Sequence, residues 1–245
     1  MQKGIACGEC RLRGRDAFRP LSPEELGFVM RSKSRHLRRP ANATLYEPGQ
    51  GDVPLYTVYS GWAFRYARFA DGSRQIVEFL LPGDLVGLPA IFLARMAYGA
   101  EALTAVELCE HRGAPMDTLF SDHPGLSRAL VQGLVEDRKR ADMRLAVLGQ
   151  RQGPHRVGHL MLELHDRLAR LGFAGGGTCE MPLRRRHWAD ATGMSGTHVA
   201  RSLAHLRDQG LAVVEDGLLT ILDRDGLASL SGYMAFDDPG PRLLL

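Results

Sequence analysis

The sequence lacks any apolar run that approaches the roughly 20 residues needed to cross a bilayer, and its first four residues precede no apolar signal core. We therefore expect a cytoplasmic protein with no membrane partner. Its net charge is only +3, from 31 basic and 28 acidic side chains, so any affinity for nucleic acid must come from a local basic patch. Four cysteines in 245 residues are too few and too scattered for a disulfide scaffold.

The 245 residues, 44% of them hydrophobic, are sufficient for two domains of ordinary size. Changes in pattern divide the chain into an N-terminal leader, a β-rich domain, a long helix, a second domain of helices ending in a hairpin, and a disordered tail. The predicted bounds are 1–20, 21–120, 121–150, 151–235 and 236–245. The fold class that this order predicts is α+β.

The β-rich domain is predicted from short runs of strand-forming residues between 44 and 108, separated by turns such as Asp71-Gly72. Many short strands at this spacing are typical of a small antiparallel barrel or jelly roll. Before them, Ser22, Pro23 and Glu25 mark the start of a helix, where we expect the folded body to begin.

The long helix carries an apolar stripe at helical spacing. Its members are Leu126, Leu130, Leu134, Ala141, Leu145 and Leu148. A stripe of this length predicts a partner helix and therefore a homodimer. The alternative is a helix that packs only on its own barrel.

The clearest motif in the chain is a helix-turn-helix over residues 184–206. Ala189 is small where two helices must touch, Gly193 is permissive where they turn, and Val199 follows six residues later. Residues 211–222, with a central Asp-Gly turn, predict a hairpin that would form a wing. An ordinary helical hairpin with a solvated basic face is the alternative, but the arginine run and the hairpin favour DNA binding.

The candidate DNA contacts lie at the start of each helix of this motif. Ser195 is a good N-cap for the second helix, whose outer face would meet a major groove. Arg201 can contact the O6/N7 edge of guanine, and the arginines at 184–186 favour phosphate. The predicted contact residues are Arg184, Arg185, Arg186, Ser195, Gly196, Thr197, His198 and Arg201. The predicted partner is double-stranded DNA.

The order of barrel, long helix and winged helix-turn-helix resembles the CRP/FNR family of bacterial transcription regulators. Residues 61–64 (Gly-Trp-Ala-Phe), 71–76 (Asp-Gly-Ser-Arg-Gln-Ile) and 82–87 (Pro-Gly-Asp-Leu-Val-Gly) look like turns of that family's cyclic-nucleotide-binding barrel, and 193–201 is similar to its recognition helix. The resemblance implies a jelly-roll sensor, a dimerisation helix, a homodimer on a two-fold operator and RNA polymerase as a partner. Thr197 stands where the family often has Glu, which leaves the operator sequence open.

The same resemblance places an effector pocket near Gly83, Asp84 and Arg95. Family members that bind cyclic AMP follow the arginine with Ser or Thr, because phosphate needs both a cation and a hydroxyl. Here Met96 follows Arg95. We therefore do not expect cyclic AMP as the effector.

The FNR branch of the family holds an iron–sulfur cluster on N-terminal cysteines and one barrel cysteine. Cys7 and Cys10 form a C-x-x-C pair and Cys109 resembles the barrel position, while Asp16 stands where a third N-terminal cysteine is missing. These four residues are the candidate metal ligands. A zinc or redox-active pair, or no site at all, are the alternatives.

A different class of function, a redox or small-molecule enzyme that carries a winged helix, would need a βαβ context for the C-x-x-C pair or a positioned nucleophile and base. The sequence shows neither. We therefore expect a regulator that responds to a redox, metal or small-molecule signal, and not an enzyme.

Overall fold

The computed structural model describes residues 5–112, 116–235 and 240–245, except for the side chains of residues 116 and 117. The chain divides into two compact units. Unit 1 is Met1–Asp137 with Pro239–Leu245, and unit 2 is Arg138–Asp238. None of the helices in the described ranges is long and apolar enough to cross a bilayer.

Unit 1 contains eight short strands among its described residues. They are β1 (Lys33–Arg39), β2 (Thr44–Tyr46), β3 (Leu55–Ser60), β4 (Ala63–Arg68), β5 (Arg74–Leu80), β6 (Leu85–Val86), β7 (Gly99–Ala102) and β8 (Val106–His111). They pair antiparallel in two sheets of order β1-β8-β3-β6 and β2-β7-β4-β5. The predicted jelly roll is confirmed, as two sheets rather than a closed barrel. Tyr46, Val58, Leu80 and Leu108 pack in its core.

Strand β1 escaped prediction because five of its seven residues are basic or histidine. It is stable beside β8, whose acidic side chains face it. Arg35 donates to both carboxylate oxygens of Glu110 at 3.0 Å, and Arg38 donates to Glu107 at 2.7 Å. Cross-strand charge pairs therefore replace the alternating apolar residues that usually identify a strand.

Three helices complete unit 1 and lead into unit 2. Helix α1 (Pro23–Ser32) begins as predicted, since Ser22 accepts a hydrogen bond from the Glu25 amide and Glu25 accepts one from the Ser22 amide. Helix α2 is Met116–Asp122, and the long helix α3 is Pro124–Gln150.

Residues 5–20 are part of the folded body, so the expectation that this body begins near residue 21 is wrong. Leu12 and Phe18 are 1% and 3% exposed. Phe18 packs against Gly83 so closely that a Cβ there would lie 2.3 Å from the ring. Burial of these two apolar side chains fixes a segment whose sequence has no periodicity.

The expectation of a disordered tail is also wrong for its last six residues, 240–245. Leu243, Leu244 and Leu245 are buried in unit 1. Residues 236–239 lie outside the described part of the chain.

Unit 2 contains the remaining elements, which follow the last turns of α3. They are α4 (Gly153–Arg170), β9 (Ala174–Gly175), β10 (Thr178–Glu180), α5 (Arg185–Thr192), α6 (Gly196–Asp208), β11 (Ala212–Glu215), β12 (Leu218–Ile221) and α7 (Arg224–Ser231). The four strands form one sheet of order β11-β12-β10-β9. The predicted wing is the β11–β12 hairpin, which turns at Asp216 with a positive φ of 49°.

Candidate nucleic-acid interface and sensor unit

Helices α5 and α6 form the predicted helix-turn-helix. Gly193 ends α5 with φ of 64°, a left-handed conformation that suits glycine, and its N–H donates to the Ala189 carbonyl. Ser195 caps α6 by accepting from the His198 amide at 3.3 Å. At Gly196 a Cβ would lie 3.2 Å from Cδ of Arg185, so a small residue lets the two helices approach.

The inner faces of the two helices hold them together. Trp188, Val199 and Leu206 are at most 1% exposed. Thr192 and Ser202 are buried as well, and each donates to a carbonyl one turn earlier in its own helix, at 2.6 and 2.9 Å. The side chains that would meet DNA therefore stand on a rigid base.

The outer face carries the predicted contact residues. Gly196 is half-buried, and the others are exposed: Arg184, Arg185, Arg186, Ser195, Thr197, His198 and Arg201. Arg201, His198 and His205 line an open groove of about 530 Å³ on this unit. A long cationic side chain in such a position can extend to a base edge without first breaking a buried contact.

Arg156, on α4, is a positioning residue that the sequence did not reveal. Its guanidinium donates to three backbone carbonyls, of Leu148 at 2.7 Å, Arg151 at 2.7 Å and Thr192 at 2.9 Å. These carbonyls lie at the end of α3, just beyond it, and at the end of α5. One side chain therefore ties the end of the long helix to the first helix of the DNA-reading motif.

A second attachment joins the same two parts of unit 2. Arg144, on α3, makes a two-pronged ion pair with Glu163 of α4, at 2.8 and 2.7 Å. Burial alone would raise the pKa of Glu163, but its hydrogen bonds and attraction to Arg144 hold that pKa below the ordinary value. Glu163 therefore stays ionised, and the last turns of α3 move with α4.

A cation lies beside the cysteines of the predicted metal site in unit 1, where Arg13 donates to the Cys7 carbonyl at 3.3 Å. Burial lowers the pKa of Arg13, while Cys10, Cys7 and Cys109 act to raise it. Burial raises the pKa of Cys109, although Lys33 acts in the opposite direction. Each of the two cations, Arg13 and Lys33, thus acts on at least one of the predicted thiols.

This donor set does not fit a four-thiolate iron–sulfur cluster. The described residues include no group of three or more His, Cys, Asp or Glu side chains placed to hold a metal ion. Asp16, which stands where a third N-terminal cysteine is missing, is exposed, and the charges of Arg13 and Lys33 would repel a metal cation. Metal ligation by Cys7, Cys10, Cys109 and Asp16 stays a prediction, and the geometry of the described residues gives it no support.

The predicted effector pocket is only partly assembled. Gly83 lines a cavity of about 140 Å³ in unit 1, together with Gly87 and residues of α3. Asp84 is buried beside it and accepts from Arg242. Arg95 does not line this cavity; it is exposed and donates to the Gly49 carbonyl.

A jelly-roll sensor unit, a long helix and a winged helix-turn-helix together define a DNA-binding transcription regulator. Comparison with known proteins agrees for both units. A family model of the cyclic nucleotide-binding domain matches residues 37–123, and one of the Crp-like helix-turn-helix domain matches residues 155–230. The chain belongs to the CRP/FNR family.

Two bacterial regulators are among the proteins that this chain resembles over most of its length. The chain is similar to the nitrogen fixation regulation protein FixK of Bradyrhizobium diazoefficiens, with 27% identity over 220 residues, or 90% of this chain and 91% of FixK. It is 26% identical to the transcriptional activator protein FnrL of Cereibacter sphaeroides over 212 residues, 85% of this chain and 84% of FnrL. These relatives are transcription regulators, which supports a role other than catalysis.

A similar fold occurs in the solved structure of FixK2 from Bradyrhizobium japonicum. The TM-score is 0.73 at 23% identity, and the match covers 82% of this chain and 98% of that one.

Proposed function

We propose that this protein is a homodimeric transcription regulator that reads a two-fold operator with helix α6 and receives its signal in unit 1. The observation that carries the proposal is the exposed face of α6. Arg201 is exposed on this face, whereas Val199 and Leu206 are buried on the opposite face of the helix, and Arg185 is exposed at the start of α5. Such a helix can enter a major groove while the arginines at 184–186 grip phosphates.

The proposed dimer forms through α3, and the exposed apolar side chains of this helix support it. Leu134 and Leu145 are 43% and 71% exposed, and Val131 and Val135 are each 53% exposed. Leu126 and Leu130, which belong to the same apolar stripe in the sequence, are instead buried in the core of unit 1. The first two turns of α3 thus belong to the sensor, and the seam begins after Leu130.

The proposed signal acts on unit 1 and reaches the helix-turn-helix through α3. Arg144 and Arg156 attach the end of α3 to the rest of unit 2. We propose a redox or small-molecule signal other than a cyclic nucleotide. Among the described residues that line the cavity, the polar side chains are Arg65, Glu78, Asp137 and Arg242, with no hydroxyl for a phosphate. Arg65 is paired with Glu78 at 2.5 Å. RNA polymerase is a proposed partner by analogy with activators of this family.

The experiment that tests the proposal selects binding sites for the purified protein from random DNA. We expect two-fold sequences whose half-sites are about one helical turn, roughly 34 Å, apart. Arg185→Ala should weaken binding to all sequences alike and reduce the salt dependence, because it removes a phosphate contact. Arg170→Ala, an exposed arginine on α4 outside the motif, is the matched control. Recovery of no common sequence would refute the proposal.

A further inference from the structure

The C-terminal segment occupies a groove in unit 1. Leu243 and Leu245 are 7% and 6% exposed. They join an apolar cluster that contains Phe28 of α1 and Leu126 and Leu130 of α3. The end of the chain therefore packs on the same helix that carries the proposed dimer seam.

Directional polar contacts fix this segment in addition to the apolar ones. Arg242 donates to the buried carboxylate of Asp84 at 2.6 Å. Its backbone N–H donates to Ala17 at 2.8 Å, and its carbonyl accepts from the Arg19 amide at 2.9 Å. These bonds form a short parallel bridge to Phe18. The contacts are those of an added strand, the mode by which peptides commonly dock.

The last residues are enclosed as well. Arg13 donates to the Leu244 carbonyl at 3.2 Å, and the Thr57 hydroxyl lies 3.1 Å from the oxygen of Leu245. Leu245 is buried, so the groove encloses the segment as far as this residue.

The tail also forms part of the cavity wall. Arg242 and Leu243 line the cavity of about 140 Å³ beside Gly83 and Gly87. Small-molecule sites usually enclose about 300–1,000 Å³. With the tail seated, the cavity is below that range; withdrawal of these two side chains would enlarge it.

We propose that the segment Gly240–Leu245 is a releasable ligand of its own sensor unit, and that a small molecule and the docked tail compete for the groove. The segment follows unit 2 directly, and the eight residues 232–239 that join it to α7 span at most about 28 Å. Docking of the segment therefore limits the movement of unit 2, and release removes that limit. The effect on DNA binding rests on the proposed function; the binding of the tail does not.

The direct test measures binding of a fluorescent peptide, Gly-Pro-Arg-Leu-Leu-Leu, to the chain shortened by residues 240–245. We expect saturable one-to-one binding to the shortened chain and at least tenfold weaker binding to the full chain, whose groove is filled. A peptide with Arg242→Glu should bind at least tenfold more weakly, because it loses the contact with Asp84. Equal binding of the peptide to both chains, or no binding to a folded shortened chain, would overturn the proposal.

If the shortened chain fails to fold, Arg242→Glu in the full chain replaces it. We then expect the amide of residue 242, which donates to Ala17, to exchange hydrogen at least tenfold faster than in the wild type, while amides of the jelly-roll core are unchanged. Unchanged exchange at this amide would contradict release.

The coupling to DNA has its own readout. Removal of the tail should change operator affinity at least threefold, and the free peptide should reverse the change. Equal operator affinity of the shortened and full chains would refute the coupling while peptide binding stands. Failure of the full chain to bind any operator would instead refute the proposed function and would leave the docking of the tail untouched.

Discussion

Replacement of Arg156 by alanine tests how the long helix is attached to the DNA-reading motif. The change removes three charge-assisted hydrogen bonds to backbone carbonyls, and two of those carbonyls end helices. Such bonds contribute about 1.5–3 kcal/mol each when buried. Because Arg156 is only half-buried, we take about 1 kcal/mol for each bond and expect a loss of about 3 kcal/mol.

For a unit of about 100 residues, a loss of this size lowers Tm by roughly 12 °C or more. Thermal unfolding followed by circular dichroism measures it, and operator binding below that temperature measures the separate effect on positioning. Arg156→Lys should recover only part of both, since an ammonium cannot donate in three fixed directions. Arg170→Ala is the control on the same helix. If Arg156→Ala is as stable as Arg170→Ala and binds the operator equally well, Arg156 does not hold the end of α3 to the helix-turn-helix.

Two further predictions concern the dimer seam and a buried histidine. Leu145→Glu should give folded monomers by light scattering, because this side chain is 71% exposed in the monomer but its charge would be buried in the dimer seam. Met30→Glu, on α1 and 53% exposed, should leave the dimer intact. A dimeric Leu145→Glu would refute the seam. Burial lowers the pKa of His111 to about 4, so the unfolded chain takes up this proton near pH 6.5 and the folded chain does not. Between pH 7 and pH 5 the free energy of unfolding, measured with urea, should therefore fall by about 2 kcal/mol more for the wild type than for His111→Gln. Equal losses would contradict the burial of a neutral His111 ring.

The sequence predicted those parts of the fold that rest on local signals. The glycine that turns α5 into α6, the cap at Ser195 and the hairpin of the wing each depend on residues within a few positions of one another. The face of α6 follows from helical spacing alone. For this reason the candidate DNA contacts could be named residue by residue, and they stay a prediction.

Features that depend on distant parts of the chain were missed. Residues 5–20 and 240–245 carry little periodicity, and they are ordered by each other, through Phe18 and Arg242, and by the rest of unit 1. Arg156 was missed because its acceptors are carbonyls, which every residue carries, and one of them lies 36 positions away. The apolar stripe of α3 gave no sign that Leu130 faces its own sensor rather than a partner.

The most direct test of the central claim measures the affinity of wild type and Arg201→Ala for the selected operator and for operators altered at each base pair in turn. We predict that the variant loses on the order of 1–3 kcal/mol on the intact operator and no longer discriminates at one base pair of each half-site, while its preferences elsewhere are unchanged. A variant that keeps the full wild-type preference at every base pair would contradict the reading of DNA by this face of α6.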